Sequence, residues 1–394
     1  MGRPIARHER IDTLRGIAVF GILLVNVWSI VHGSSSYRYG VQAGAASAFD
    51  QCFIFLTAAF AEAKFYPIFS FLFGAGFALQ TRSLRRALGD WAGAKAVYRR
   101  RLGWLLGCGL AHGFLVWYGD ILAAYALTGF LVLGLAGSRL RTVRTCLRWL
   151  VCGNLAFLAL ILYSMLGLEA PDTGTEAGLA LEGLATYTTG GWLAIANLRV
   201  RDYADALLQV LFIVPELAML FLFGVMAVRL GYLTRPVRHR AFWRKVQRVG
   251  LGVGIPVNLL WGAVALAEAR NPAGSGWLPV ALASTLPWIG PLLAAGYVAT
   301  LMLARRAPLE RCLAPVGRMA LSNYLMQSVL GVALLQGAGL GLGARLSYSG
   351  MFLYCLGVML LQSWCSRWWL ARHAQGPLEA LWRRHTMAGM GRPG

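Results

Sequence analysis

Apolar runs about as long as a bilayer is thick recur along the whole chain, parted by short arginine-rich blocks, and this alternation restricts the fold more than any other feature. A helix rises about 1.5 Å per residue, so roughly 20 apolar residues cross a hydrocarbon core of about 30 Å. Inside lipid every backbone N–H and C=O must be paired within its own segment, which makes such runs helices. Read against flanking charge, the runs predict helix 1 at 14–32, helix 2 within 49–81, and helices 3 to 5 at 102–118, 120–137 and 148–168. Helices 6 to 10 follow near 207–230, 249–267, 278–303, 319–338 and 349–370. The predicted fold class is all-α: a polytopic integral membrane helical bundle of about ten transmembrane helices.

Composition points the same way. Of 394 residues, 58% are hydrophobic and 13% charged, against roughly 45–50% and 25% in an ordinary soluble domain. The formal net charge of +21 would suggest nucleic acid in a soluble protein, since Lys and Arg neutralise phosphates. Here the basic residues sit in short loops between apolar runs, with no aromatic-interleaved basic surface on which bases could stack, so nucleic acid is excluded as a partner. The seven cysteines lie in or beside apolar runs without paired metal-ligand spacing, and read as small buried hydrophobes. The first apolar run continues to Val31 without a small-residue cleavage site, and reads as a retained helix.

Charge gives the map a sidedness. Placing the N-terminus, the loops 82–101, 138–148, 231–248 and 304–318, and the C-terminal tail on one face collects 31 of the 37 Lys and Arg residues there. Positive residues mark the cytoplasmic side, so both termini are predicted to be cytoplasmic. Parity then decides the 33-residue stretch Phe49–Thr81: two crossings would put the basic block from Arg82 to Arg101 outside, so it crosses once, with an interfacial or re-entrant first half. The chain divides into an N-terminal five-helix half (1–168), an acidic, glycine- and threonine-containing outer loop (169–206) with room for a short surface helix, and a C-terminal five-helix half (207–394). No extramembrane segment is large enough to do chemistry alone, so a site lies between helices or under the outer loop.

Ionisable groups in membrane helices are costly unless paired or facing a water-filled space, which makes them the candidates for function. Asp12 and Arg15 stand one turn apart at the entry of helix 1, with Asn26 farther across. Arg15 either pairs with Asp12 and snorkels, or presents its guanidinium fork to a phosphorylated ligand entering from the cytoplasm. His112, in Gly109-Leu110-Ala111-His112, precedes Asp120 by eight residues. That is about 12 Å along an ideal helix, so direct contact requires a break near Gly119 or a bridging water. Asp120 either caps helix 4 or orients His112 as a general base or acyl-accepting group, with His32 as a second candidate. Glu62 and Lys64 are two apart and expected to have separate partners. Gly74 and Gly76 read as helix contacts. Glu216 after Pro215 and Asn323 in helix 9 complete the intramembrane polar candidates.

Several of these residues fall in blocks that resemble a known family. Arg10 to Gly16 with Asn26, Lys64-Phe65 through Leu72-Phe73-Gly74-Ala75-Gly76-Phe77, and His112 with Gly119-Asp120-Ile121-Leu122 and Tyr125 resemble the N-terminal half of the YeiB-like bacterial membrane proteins, domain of unknown function 418. Gly317-Arg318-Met319-Ala320-Leu321-Ser322-Asn323-Tyr324-Leu325 with Gln327-Ser328, and Gly376-Pro377-Leu378-Glu379 with Leu381-Trp382-Arg383, resemble its closing signatures. The first half is also similar to heparan glucosaminide acetyltransferase and, more distantly, to the acyltransferase 3 membrane enzymes. Those proteins move an acyl group from cytoplasmic acyl-CoA to a sugar hydroxyl or amine. Acyltransferase 3 proteins carry a histidine eleven residues after the helix 1 arginine; here that residue is Asn26, as in the glucosaminide acetyltransferase branch, which uses a later histidine.

The resemblance implies a transmembrane O- or N-acyltransferase of the bacterial inner membrane. Arg15, with Asp12 and Asn26, would hold acyl-CoA as co-substrate, and His112, Asp120 and His32 would serve an acceptor that is a saccharide, a lipid-linked molecule or a small molecule. No permanently bound cofactor and no metal are expected. A transporter or exporter of a small or lipid-linked solute, and a non-catalytic sensor or scaffold, are the competing expectations.

Overall fold

The structure, a computed structural model, describes residues 9–34, 46–167, 173–270, 277–304 and 308–387. Among them it contains fourteen α-helices and no strand. They are α1 (Glu9–His32), α2 (Ala48–Phe60), α3 (Phe65–Leu88), α4 (Trp91–Leu115), α5 (Leu122–Leu133), α6 (Leu140–Ser164), α7 (Thr173–Thr189), α8 (Trp192–Arg229), α9 (Arg240–Arg270), α10 (Trp277–Leu303), α11 (Pro308–Arg318), α12 (Ala320–Leu335), α13 (Tyr348–Arg372) and α14 (Pro377–Met387). Seven stretches are long and apolar enough to cross a membrane, α2 with α3 counting as one; α5 and α12 are shorter apolar helices. Nine of the ten predicted segments each fall on one helix and the second falls on two, α2 and α3, and the all-α membrane bundle is the observed fold. The outer-loop residues 35–45 and 168–172, including Arg38, Glu169 and Asp172, lie outside the described residues, as does the side chain of Glu176.

Where helices approach closely, glycine makes the room. A Cβ at Gly74 would lie 2.0 Å from the Phe221 carbonyl oxygen, and one at Gly224 would lie 1.9 Å from that of Phe71, so α3 and α8 interlock reciprocally. Gly16 and Gly317 do the same for α1 and α11, against the carbonyls of Leu313 and Asp12. With lipid as the solvent, burial of apolar surface does little to bring helices together, and close packing of small residues takes its place.

The stretch 49–81 is not a helix with an interfacial first half. It is two helices meeting at residues 61–64, where Ala63 takes a left-handed backbone (φ 58°). Both halves are packed in the bundle: Asp50 accepts from Ser349 N–H at the start of α13, Gly262 of α9 faces Phe55 and Ala59, and Gly290 of α10 makes room for the Ala63 carbonyl. Gly76, farther on, faces Arg15. By length and composition the two helices together count as one candidate span. Lys64, fully buried, donates to the Ala58 carbonyl at 2.9 Å and so satisfies part of the freed end of α2.

Three further boundaries differ. Helix 4 of the sequence is the 12-residue α5, about 18 Å long and too short to span, because the α4–α5 turn lies inside the protein with Trp117 and Tyr118 buried. The predicted outer loop is mostly helix: α7 is the expected surface helix, but α8 starts at Trp192 rather than 207. Its 38 residues extend about 57 Å, beyond the hydrocarbon. The sparse apolar positions Ile195, Leu198 and Tyr203 are buried against the rest of the protein, which explains a periodicity too weak to read as a membrane span. Finally, the loop 304–318 contains α11, and the C-terminal tail contains α14.

Candidate functional site

At one end of the bundle α1, α3, α4, α5, α11, α12 and α14 surround a cavity of about 240 Å³. Arg15, Arg101, Arg318, Gln80, Glu379 and Trp382 contribute polar and aromatic lining; Phe69, Phe73, Leu72, Leu105 and Ile22 form an apolar wall. Tyr125 and Tyr324 also line it.

Arg15 does both things its position allows. Its Nη1 is 3.0 Å from Asp12 Oδ1, and its guanidinium lines the cavity beside Gly76, whose missing side chain leaves it space. Arg101 lies over the Trp382 ring, 3.6 Å from its centroid, while its Nε has no hydrogen-bond partner among the described residues, nor has Gln80 Oε1. Trp382 Nε1 donates to the Arg101 carbonyl. Glu379 accepts from Leu321 N–H and Ser322 N–H at 2.9 and 3.1 Å and from the Ser322 hydroxyl at 2.6 Å, capping α12 with a charge of the sign its N-terminus favours.

At the Tyr125 and Tyr324 side, the chain returns on itself. α4 ends at Leu115, and the turn over 116–121 brings Asp120 back to His112, so the contact is direct, with Nδ1 3.0 Å from Oδ1 and both side chains almost wholly buried. The ideal-helix separation did not apply because the helix stops three residues before the predicted end. Asp120 Oδ2 accepts from Ala123 N–H at 2.8 Å, capping α5 with its second oxygen. Gly109 permits the approach: a Cβ there would lie 2.4 Å from Ala123 N and 2.7 Å from Asp120 Oδ2. A carboxylate accepts only, so Nδ1 carries a hydrogen. The Tyr324 ring centroid is 5.5 Å from that of His112, and its hydroxyl lies 3.4 Å from the Gly119 carbonyl. Tyr324 therefore stands between cavity and imidazole.

The N-terminal half of α8 holds this turn. Arg199 donates to the carbonyls of Phe114 and Val116 at 3.0 and 3.1 Å, and Tyr203 to that of Gly109. Asp202 accepts from Tyr187 and Ser34; burial, with the Asp202 carboxylate beside it, holds the Tyr187 phenol well above its usual value, so it remains a donor.

The other candidates lie elsewhere. His32 is buried, with Nδ1 3.1 Å from the Trp28 carbonyl, and it does not line the cavity. Asn26 is half-buried, away from the cavity lining. Glu62 accepts from Trp261 Nε1, a different partner from that of Lys64. Glu216 accepts from the Tyr66 hydroxyl at 2.7 Å; Ser70 donates to the Tyr66 carbonyl and bonds Tyr125, linking this carboxylate to a cavity residue. Asn323 donates to Val316 O and Ser366 Oγ, and accepts from Gln362, a buried polar seam joining α12 to α13. Among the described residues no group of His, Cys, Asp and Glu could hold a metal.

Fold and site together define a polytopic helical membrane protein with a charged, aromatic-floored cavity between its helices. Residues 227–389 match the family described as Protein of unknown function (DUF418). The chain is 30% identical over 409 residues to the uncharacterized protein YxaH of Bacillus subtilis, covering 98% of this chain and 96% of the relative. It is 29% identical to the uncharacterized protein YeiB of Escherichia coli, covering 98% and 97%, and 30% identical to an uncharacterized 39.9 kDa protein of the amylase 3' region of Bacillus acidopullulyticus, covering 97% and 95%. It belongs to the YeiB-like DUF418 family. No solved structure matches the chain.

Sequence reasoning missed Arg101, Gln80, Arg318, Tyr125, Tyr324, Glu379 and Trp382 as site residues. Five of them, all but Arg101 and Gln80, stand in the blocks that carry the family resemblance, and that co-occurrence was the available signal. Arg101 was hidden in the run Arg99 to Arg101, which sidedness already accounted for.

Proposed function

We propose that the chain is a membrane-embedded acyltransferase of the bacterial inner membrane that takes acyl-CoA from the cytoplasm and passes the acyl group to an acceptor hydroxyl or amine. The observation that carries this reading is one cavity with three arginines among its lining and Tyr324 as the wall between it and the His112–Asp120 pair. Planar guanidinium groups match phosphate oxygens, and a histidine held by a carboxylate is a general base. The cavity lies just below the roughly 300 Å³ at which ligand pockets usually begin. It suits an acyl-pantetheine arm whose nucleotide stays at the arginine-lined mouth. In the transfer, the acceptor attacks the thioester carbonyl, a C–O or C–N bond forms, and the acceptor proton passes to His112 Nε2. The C–S bond then breaks, and the imidazolium returns that proton to the leaving thiolate. Asp120 keeps the ring in the required tautomer throughout.

Equilibrium binding of radiolabelled acetyl-CoA to protein in lipid nanodiscs tests the reading. Arg15→Ala and Arg101→Ala are each expected to weaken binding at least about tenfold, the worth of one charge-assisted contact. Absence of binding, or binding indifferent to both changes, overturns it.

One observation favours a second reading. The break between α2 and α3, with Glu62 and the buried Lys64, resembles the discontinuous helices around which transporters build midplane binding sites. Solute flux in proteoliposomes without acyl-CoA, abolished by Lys64→Met but not by Arg101→Ala, would establish that reading instead.

A further inference from the structure

The turn that joins α5 to α6, residues 134–139, is ringed by positive charge brought from three other helices. Arg229, at the end of α8, donates to the carbonyls of Ser138 and Leu135 at 2.7 and 3.2 Å, and Lys95 of α4 donates to that of Gly134 at 3.3 Å. Arg85 of α3 lies over the Trp91 ring, 5.1 Å from its centroid, and that ring packs on Gly137, where a Cβ would lie 2.7 Å from it. Arg82, one turn earlier on α3, is close enough to Arg229 to act on its charge. Arg139 on the turn and Arg141 in the first turn of α6 are exposed, as are Arg82 and Arg85.

No acid balances these six cations. None of them forms a salt bridge among the described residues, and the carbonyls that Arg229 and Lys95 bond satisfy hydrogens without cancelling charge. Asp90, between Arg85 and Lys95 in sequence, caps α4 by accepting from Gly93 N–H at 2.6 Å. Membrane sidedness explains why this face of the protein is basic, but not why three helices deliver side chains to one turn. Like charges held together repel unless an anion joins them, and planar guanidinium groups match phosphate oxygens. The arginine-lined cavity is a different place, since none of the six lines it.

Beside this ring the protein faces lipid. On α5 the exposed positions Leu127, Leu131 and Gly134 stand on one stripe that leads to the turn. Only 6% of the apolar stretch of α6 is buried, and Trp149 is among its exposed side chains. An anion that meets the ring therefore comes with the bilayer, where clustered Lys and Arg next to a membrane helix attract anionic lipid. We infer that the α5–α6 turn is a binding site for the headgroup of an anionic phospholipid, with its phosphate among Arg82, Arg139 and Arg141 and its acyl chains along the exposed stripe of α5. This site goes beyond the acyltransferase reading and does not depend on it.

Native mass spectrometry of the full-length protein, released from micelles that hold equal amounts of phosphatidylglycerol and phosphatidylcholine, tests the site. The wild type is expected to retain phosphatidylglycerol in preference. Arg139→Gln combined with Arg141→Gln removes two exposed charges and should lower that retention about tenfold or more. Arg244→Gln combined with Lys245→Gln, equally exposed on α9, should leave it unchanged. If the first double variant does not fold, Arg82→Gln replaces it, with an expected loss of about fivefold. Inorganic phosphate or acetyl-CoA at millimolar concentration should not displace the lipid. Equal retention of the two lipids, or retention of phosphatidylglycerol unchanged by the substitutions at the turn, overturns the inference. Equal losses in the two double variants would reduce the effect to the general charge of this face, and displacement by phosphate or acetyl-CoA would make the turn a site for a soluble anion; either result also overturns it.

Discussion

At the scale of single residues, the account turns on Asp120, whose two oxygens do different work: one orients His112, the other caps α5. Asp120→Asn retains an acceptor for the Ala123 N–H but no longer fixes the imidazole tautomer, so transfer should fall about 10²-fold or more with the melting midpoint nearly unchanged. Asp120→Ala should add a loss of about 1 kcal/mol from the missing cap. Comparing thiol-release rates with thermal midpoints checks both, and equal rates in Asp120→Asn and wild type would contradict the assignment. The histidine and the aspartate were legible in the sequence as rare ionisable groups in apolar surroundings. Their contact was not, because it depends on where α4 stops, and nothing local to Val116 or Trp117 announces that stop. Arg101 was illegible for the opposite reason: its charge already had a sufficient explanation in membrane sidedness.

At the scale of elements, close helix approach fixes the mouth of the cavity. A Cβ at Gly317 would lie 1.7 Å from the Asp12 carbonyl oxygen, so Gly317→Ala must push α11 off α1 beside the Asp12–Arg15 pair. Overpacking of this kind costs about 1–3 kcal/mol, and should lower the thermal midpoint in detergent and weaken acetyl-CoA binding together; an unchanged midpoint would show the contact to be slack. Removing α14 by truncation before Pro377 takes away the Glu379 cap on α12 and the Trp382 face under Arg101. It should destabilise the protein and expose Arg101, read as faster backbone hydrogen exchange at the start of α12; unaltered exchange would mean that α14 only rests there. Parity of the basic loops predicts that 49–81 crosses once, and the structure makes it two packed helices rather than one. The break at Ala63 had local marks in the charged pair Glu62 and Lys64 and in Pro67 of the first α3 turn, but its support comes from Gly290 and Tyr297, more than 200 residues away.

At the scale of the whole molecule, hydropathy was enough to predict the helical bundle, because it is a sum over many residues and tolerates local error; the sidedness that charge predicts is open to direct test. Reporter fusions near 90, 143, 240 and 312 should read cytoplasmic and those near 40, 185 and 272 outside; one reversed loop breaks the alternation. The N-terminal extension of α8 over 192–206 and the enclosed α4–α5 turn were less legible, since their apolar positions are sparse and are buried by protein. Together they give the molecule its asymmetry, with an arginine-lined cavity on one side of Tyr324 and the His112–Asp120 pair on the other. The most direct measurement of that asymmetry is an experimental structure in nanodiscs with a non-hydrolysable acetyl-CoA analogue. The account predicts phosphate density beside Arg15, Arg101 and Arg318, and the acyl end against Tyr324 within reach of His112. Density elsewhere in the bundle, with the arginine-lined cavity unchanged, would contradict it.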